Sequence, residues 1–349
     1  MNVLMVGVDK YRTGGMWTVA EMYIDSTEYN EQVHLTYVAT STAGSKLKRL
    51  NAMFQGWRKA KQIIAAGKAD ILHVHMAEKG STFRKGMLVK YARRHNVKTI
   101  IHIHAGPFME WYHTLSDGKK NHVRRYFESA DRVIVLGNYW KKKMAELKPE
   151  RDIKVIYNGI NVPEHNLYCA DSHNIIYMGR INEKKGIWDL LDAVKRINLS
   201  LPENTVFQIY GEDETGKLEN RIAEMGLEKR VEIKGWIGEQ EKQNAYLNAM
   251  IMVLPTYIEG LSMTVLESMA YGVPVITTGI TTMPELLGGI TDMIVPGDTE
   301  ALAEKIVELG QDQSKRKEIS RKEFEKVKKY FSKTEMISKT IEVYHELIP

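Results

Sequence analysis

The feature that most limits what this chain can fold into is an alternation that occurs twice. Short continuous runs of Val, Ile and Leu recur with helix-patterned stretches between them. In the first half the runs are Val3–Val8, Val33–Ala39, Ile71–His75, Thr99–His104, Val133–Leu136 and Ile153–Tyr157. Met16–Asp25, Ser45–Ala66 and Phe83–Arg94 are among the helical stretches that separate them. Runs that are apolar throughout, rather than at every second residue, predict strands covered on both faces. Strands alternating with helices predict a parallel sheet. At Asn158-Gly159 the alternation stops, and a polar stretch through Asn161, Pro163, Asn166 and Asp171 reads as a linker. It then restarts with Ile175–Met178, Val206–Tyr210, Val231–Ile233, Met252–Leu254 and Val275–Thr277. A chain of 349 residues can bury two such cores. The expected class is therefore α/β, with two Rossmann-like doubly wound domains over residues 1–160 and 161–331.

The tail from Lys315 to Ile348 is strand-free and helical in pattern, interrupted at Phe331-Ser332, where Ser332 is placed to cap a last helix. Two helices stand where one would close the second domain. The last, 332–349, is expected to return to the first.

Composition narrows the class. Apolar residues are 43% and charged residues 27%, an ordinary globular balance. The single cysteine, Cys169, excludes an intramolecular disulfide and leaves a reducing, cytoplasmic setting as the expectation. MNVLMVGV reads as a buried strand rather than a signal peptide. No apolar run is long enough to span a bilayer, so membrane contact is expected to be peripheral. Net charge is +5, but unevenly divided. Residues 1–150 hold 25 Lys and Arg against 13 Asp and Glu, and the remainder hold 24 against 31. A basic half joined to an acidic half points the first toward something anionic, with solvated helix faces as the plainer alternative.

In open parallel sheets, ligands sit beyond the carboxyl ends of the strands, so the residues just after each strand are the ones to read. After Ile175–Met178 come Gly179-Arg180 and then Glu183-Lys184-Lys185-Gly186. Glycine permits close backbone approach, and Arg180 and Lys185 suit a diphosphate. After Met252–Leu254 comes a loop holding Glu259, then Gly260, Leu261, Ser262 and Met263 opening a helix that carries Glu267. Amides at a helix N-terminus again suit phosphate. The two glutamates invite comparison with the acid/base pair of a glycoside hydrolase. A mostly helical spacing would part them by roughly 10 Å along the axis, whereas a retaining hydrolase holds its pair about 5 Å apart. The spacing instead suits two grips on one extended ligand.

Glu259-x7-Glu267, with Gly179-Arg180 and Lys185-Gly186 before it and Gly272-Val273-Pro274-Val275 after it, resembles retaining glycosyltransferases of family 4, which have the GT-B fold. Bacterial capsule, O-antigen and exopolysaccharide enzymes are among them. The resemblance spans nearly the whole chain. It includes Gly14-Gly15, the histidine-bearing strand ends Asp70–His75 and His102–Gly106, Ile156–Ile160, and the Val231–Gly235 strand on the nucleobase side. It implies two domains facing a central cleft. Arg180 and Lys185 would neutralise the donor diphosphate, Glu259 would orient the sugar, and Glu267 would hold the ribose. His104 would contact the donor sugar, while Gly14-Gly15 would let an amide approach the phosphates. Gly179, Val231 and Gly260 to Met263 complete the expected donor site. Ser262 departs from the glycine that many relatives carry. The resemblance further implies metal-free retention of configuration by same-face attack, with no cofactor beyond the nucleotide-sugar donor, UDP-linked by family habit. The expected acceptor is a saccharide, carried on a polyprenyl diphosphate. A sugar-nucleotide epimerase or hydrolase of the same fold, and a non-catalytic sugar-nucleotide binder, remain alternatives.

Other signals carry less. Gly211 to Leu218 nearly spells a P-loop, but Leu218 cannot ligate magnesium and three acids would repel phosphate. His73, His75, His102 and His104 invite a metal, yet no acid or cysteine pattern completes a site, so none is expected. The basic clusters lack the interleaved aromatics of a nucleic-acid reader, and no nucleic-acid partner is expected. They fit the surface of the cytoplasmic membrane better, through the basic first domain. In Gly80–Lys85, Arg84 or Lys85 is a candidate for an acceptor's phosphate, with His75 as a further acceptor contact; an ordinary helix N-terminus is the competing reading.

Overall fold

The computed structural model describes residues 1–11, 15–104, 106–198 and 200–348. They form two compact units, Met1–Gly159 with Lys333–Pro349, and Ile160–Ser332.

In the first unit, β1 (Asn2–Gly7), β2 (His34–Ala39), β3 (Ile71–Met76), β4 (Lys98–Ile103), β5 (Arg132–Val135) and β6 (Ile153–Val155) form one sheet in the order β2-β1-β3-β4-β5-β6. Every pairing is parallel. β3 is buried along its whole length, its two histidines included. The order reverses between β1 and β3, which makes their carboxyl ends this unit's switch point.

In the second unit, β7 (Asn174–Met178), β8 (Val206–Tyr210), β9 (Val231–Gly235), β10 (Ala249–Leu254) and β11 (Val275–Thr277) form a parallel sheet in the order β11-β10-β7-β8-β9. Its switch point lies between β7 and β10. β10 begins three residues earlier than its pattern suggests, because the preceding helix ends at Leu247 and a bulge at Ala249–Ile251 absorbs the register shift.

The last helix, Lys333–Leu347, belongs to the first unit. Tyr344 Oη lies 2.6 Å from His73 Nδ1 and 3.0 Å from Tyr29 Oη, and Thr340 Oγ1 lies 2.9 Å from Tyr23 Oη. These groups are buried, so each bond satisfies a polar atom that would otherwise be stranded. Glu346 adds ion pairs to Lys154 at 2.5 Å and Arg132 at 3.4 Å. No helix among the described residues is long and apolar enough to cross a membrane.

Candidate active site

The loops after β7, β8 and β10 approach one another closely at the carboxyl ends of the strands, and glycines let them do so. Gly186 has φ +69°, and a Cβ there would lie 1.9 Å from the Pro255 carbonyl oxygen. Gly211 has φ +145°, and its Cβ would lie 1.8 Å from the Gly179 carbonyl oxygen. Both positions demand glycine for backbone conformation and for space. Gly179 differs: a Cβ there would meet nothing closer than Leu254 at 3.8 Å, so the fold itself does not require a glycine.

The loop after β10 is fixed by threonines. Thr256 Oγ1 donates to Lys184 O at 3.2 Å or Ile258 O at 3.1 Å, Thr278 Oγ1 to Thr256 O at 2.5 Å, and Thr282 Oγ1 to Gly260 O at 3.0 Å. On this frame Glu259 Oε1 accepts from Lys185 Nζ at 2.5 Å. Their side chains are 11% and 23% exposed, so the pair is accessible without being freely solvated. The helix Met263–Ala270 follows, with Ser262 at its N-cap. Ser262 Oγ pairs with Thr264 Oγ1 at 3.2 Å rather than capping the backbone, and Leu261 is buried.

Glu267 lies on the buried face of that helix. Its Oε1 accepts from Lys242 at 2.9 Å and its Oε2 from Tyr246 Oη at 2.9 Å. Burial raises its pKa, outweighing the opposing pull of Lys242 and the Tyr246 hydrogen bond. For Lys242, burial is outweighed by Glu267 and Glu239, and its pKa rises too. Neither Lys242 nor Tyr246 stands out in the sequence, since their partner is over 20 residues away. The helix begins only at Met263, so Glu259 stands on a loop and the mostly helical spacing is corrected. Each glutamate has its own cation.

Arg180 is exposed and pairs with Glu214 at 3.4 Å, in the loop after β8. That loop also settles the P-loop likeness. Asp213 accepts from the amides of Thr215, Gly216 and Leu218 at 2.8, 3.1 and 3.2 Å, which are the donors a phosphate would need. A depression of about 1040 Å³ lined by Arg180, Lys184, Trp188, Glu214 and Arg221 opens nearby but is not lined by Lys185, Glu259 or Glu267. Its mixed charges favour no anion, and the switch-point geometry is the better guide.

Val231 is corrected. It is the first residue of β9, 5% exposed and paired with Phe207, so it lies at the end of the sheet away from the ligand side. The ligand-side end of that strand is Gly235, followed by Trp236, which is 65% exposed.

In the first unit, Gly14 lies outside the described residues, and Gly15 opens the helix Gly15–Ile24. His104, partly exposed, follows β4, and its Nε2 lies 2.8 Å from His75 Nδ1. His75 is completely buried, which corrects the idea that it meets an acceptor directly. Lys85 is also corrected: it is 1% exposed, and its ammonium donates to the His75 carbonyl. Arg84 remains partly exposed beside Gly80. His73, His75 and His102 offer ring nitrogens within 4.8 Å of one another. Burial lowers all their pKa values, His73 to about 3, so the rings are neutral. Neutral imidazoles can ligate, but among the described residues the group includes no carboxylate or thiolate, and Lys85 adds positive charge beside it. A divalent ion there would be buried without an anionic ligand.

Two parallel sheets, each with a switch-point crevice, are the architecture of GT-B glycosyltransferases, and solved structures of that class match it over nearly the whole chain. Anabaena HepE, solved with UDP and glucose, aligns with a TM-score of 0.76 at 17% identity, covering 99% of this chain and 100% of its own. Residues 20–163 match the profile described as Glycosyltransferase Family 4, and residues 172–312 that of Glycosyl transferases group 1. The chain belongs to this glycosyltransferase family. An uncharacterised glycosyltransferase of Methanocaldococcus jannaschii is 26% identical over 86% of this chain and 82% of its own length. The amylovoran biosynthesis glycosyltransferase AmsK of Erwinia amylovora is 27% identical over 72% of this chain and 65% of its own.

Proposed function

We propose that this glycosyltransferase moves a sugar, with retention of configuration and without a metal, from a nucleoside-diphosphate sugar to a saccharide acceptor in bacterial surface polysaccharide synthesis. The observation that carries the reading is the Lys185–Glu259 pair, held on a threonine-locked loop at the carboxyl ends of β7 and β10. A diphosphate beside it meets Lys185 and the amides opening Met263–Ala270, while Glu259 is left to accept from sugar hydroxyls. Arg180 adds a second cation once it leaves Glu214. Charge on the departing nucleotide is then stabilised as it develops. The leaving phosphate takes the acceptor's proton on the face it departs from, so no protein nucleophile is needed.

Glu267, oriented by Lys242 and Tyr246, holds the ribose, and Gly179 lets the backbone approach the donor. Gly260 and Leu261 set the turn before the amides. Gly14, Gly15 and His104 keep the donor-side roles that the family resemblance gives them. UDP is the proposed nucleotide, in line with the ligand of Anabaena HepE. The polysaccharide setting is in line with AmsK. The acceptor is proposed to be carried on a polyprenyl diphosphate, with Arg84 rather than Lys85 facing its phosphate and the basic first unit at the cytoplasmic membrane surface. No cofactor enters.

The test is a thermal-shift screen of UDP, GDP, ADP and their sugars, followed by turnover with and without acceptor in EDTA. A binding nucleotide raises the midpoint. Acceptor-dependent release of nucleotide in EDTA supports transfer. Release independent of acceptor would favour a hydrolase, and binding without turnover a non-catalytic protein.

A further inference from the structure

His73, His75 and His102 are buried, while His104 is partly exposed just beyond β4. The exposed member is nonetheless held from two directions. Its backbone amide donates to the Met76 carbonyl at 3.0 Å, which carries the β3–β4 ladder past the end of the strand. Its ring Nε2 lies 2.8 Å from His75 Nδ1. The two rings are inclined by only 11°, with their centroids 4.8 Å apart. Rings so nearly parallel, with nitrogens so close, lie edge to edge rather than face to face. That is the arrangement of an in-plane hydrogen bond between two imidazoles.

Such a bond holds one proton between two nitrogens, and the ring that owns it decides what His104 can offer a ligand. The surroundings of His75 settle the ownership. Burial, with the neighbouring histidines and Lys85 adding to it, lowers the His75 pKa well below the ordinary value, so the ring is neutral and carries a single N–H. Its other nitrogen, Nε2, is buried with no hydrogen-bond partner among the described residues. A proton there would make an orphaned buried N–H, which folded chains tolerate less often than an unused acceptor. The proton therefore sits on Nδ1 and points at His104. The neighbouring pair follows the same rule. His102 Nε2 is likewise buried without a partner, so His102 Nδ1 donates to His73 Nε2 at 3.3 Å, and His73 Nδ1 donates to Tyr344 Oη at 2.6 Å. One proton on each ring, always on Nδ1, satisfies both chains.

We infer that His75 is a positioning residue: its Nδ1–H donates to His104 Nε2 and fixes His104 in the Nδ1–H form, so that what His104 presents to a hydroxyl of the donor sugar is a hydrogen-bond donor. An unrestrained neutral histidine could offer either nitrogen, as donor or as acceptor. Held by His75, His104 can only donate. Lys85 supports the arrangement from below, since its ammonium donates to the His75 carbonyl. The inference rests on the donor-side role proposed for His104 and adds the group that directs it.

The experiment is long-range proton–nitrogen correlation NMR of the histidine rings in the full chain without nucleotide, with His104→Gln assigning the His104 signals. The expected result is a neutral His104 ring protonated at Nδ1. His75→Leu should release His104 to the Nε2–H form that an unrestrained histidine favours. His75→Asn, whose amide can place an N–H where Nδ1–H stood, should restore the parent form. Calorimetry then compares UDP-glucose with UDP. His75→Leu should weaken UDP-glucose binding by about 3- to 10-fold, the effect of one misdirected neutral hydrogen bond, and leave UDP binding unchanged. His75→Asn should recover the parent affinity. A merely structural role would lower both affinities together. An Nε2–H form of His104 in the parent overturns the inference without any His75 variant, so a variant that folds poorly does not decide the matter. Equal losses for UDP and UDP-glucose also overturn it, as does His75→Asn impaired like His75→Leu at the parent's melting midpoint. Unchanged UDP-glucose binding in His104→Gln would overturn the donor-side role of His104 while the ring pairing stands on the NMR alone, so the two failures are separate results.

Discussion

Glu267 does not wait alone at its position: Lys242 Nζ donates to its Oε1 at 2.9 Å, while Tyr246 occupies its other oxygen. The residue assigned to the ribose is therefore part of a three-membered set spanning two helices, with Glu267 and Tyr246 buried and Lys242 partly exposed. Its carboxylate has a fixed direction and a raised pKa, two properties that substitution can separate.

Lys242→Met should weaken donor binding without removing the ribose ligand. The carboxyl of Glu267 is already raised by burial, and losing Lys242 removes a group that opposes that rise. A hydroxyl-accepting carboxylate must be ionised, so donor affinity falls as pH drops through the raised value. In the variant the fall should begin at a higher pH. Titration calorimetry with the nucleotide across pH reads this directly. An unchanged pH profile would contradict the role of Lys242.

Lys185→Met should reduce transfer by roughly 10²–10³-fold, the range for losing one donor to developing charge, and Glu259→Gln should lower it by weakening the grip on the sugar hydroxyls. Both side chains remain partly exposed, so the melting midpoint should move little. Full activity in either variant would remove the site from its assigned place.

Two glycines separate fold from function. Gly186→Ala forces a Cβ into the Pro255 carbonyl at positive φ and should cost about 1–3 kcal/mol or more in stability. Gly179→Ala meets only ordinary contacts and should leave stability within about 0.5 kcal/mol, yet lower donor affinity. Denaturant unfolding with nucleotide titration distinguishes them. A destabilised Gly179→Ala would mean that the residue serves packing.

The histidine cluster predicts acid sensitivity. Burial holds His73 down to about 3 and His75 and His102 well below the ordinary value, so the folded chain refuses protons that the unfolded chain takes up near the ordinary histidine value. A depressed histidine leaves stability intact above that ordinary value and lowers it as pH falls below it. The slope is about 1.4 kcal/mol per pH unit for each histidine. Unfolding free energies measured between about pH 6 and pH 5 should flatten by about one such step in His102→Gln. An identical slope would contradict the burial account. Tyr344→Phe, which strands His73 Nδ1 and Tyr29 Oη, should cost about 1–3 kcal/mol.

Much of this was legible in the sequence, for physical reasons. Parallel strands buried on both faces cannot carry polar residues at every second position, so runs such as Val133–Leu136 and Ile175–Met178 declare themselves. The return of the last helix was legible from one helix too many. Side-chain direction was harder. Lys85 looked like a surface cation, yet Thr82, Gly86 and Val89 share its buried face, and that spacing was there to be read. Family likeness points to the strand that Val231 opens, but which end of a strand faces the ligand is a tertiary fact. Lys242 and Tyr246 left no local signal, because their purpose depends on a contact with a helix over 20 residues away. The Lys185–Glu259 and Arg180–Glu214 pairs were equally tertiary facts.

The central claim, transfer of a sugar with retention, is tested most directly by an NMR time course of the full chain with the nucleotide sugar that gives the largest thermal shift, with and without a polyprenyl-diphosphate saccharide. The account predicts free nucleoside diphosphate and a new glycosidic linkage in equal amounts, only with acceptor present. The anomeric configuration of the donor should be kept, and Glu259→Gln should slow formation of the product. Free sugar or an epimerised donor appearing without acceptor, or a product of inverted configuration, would contradict it.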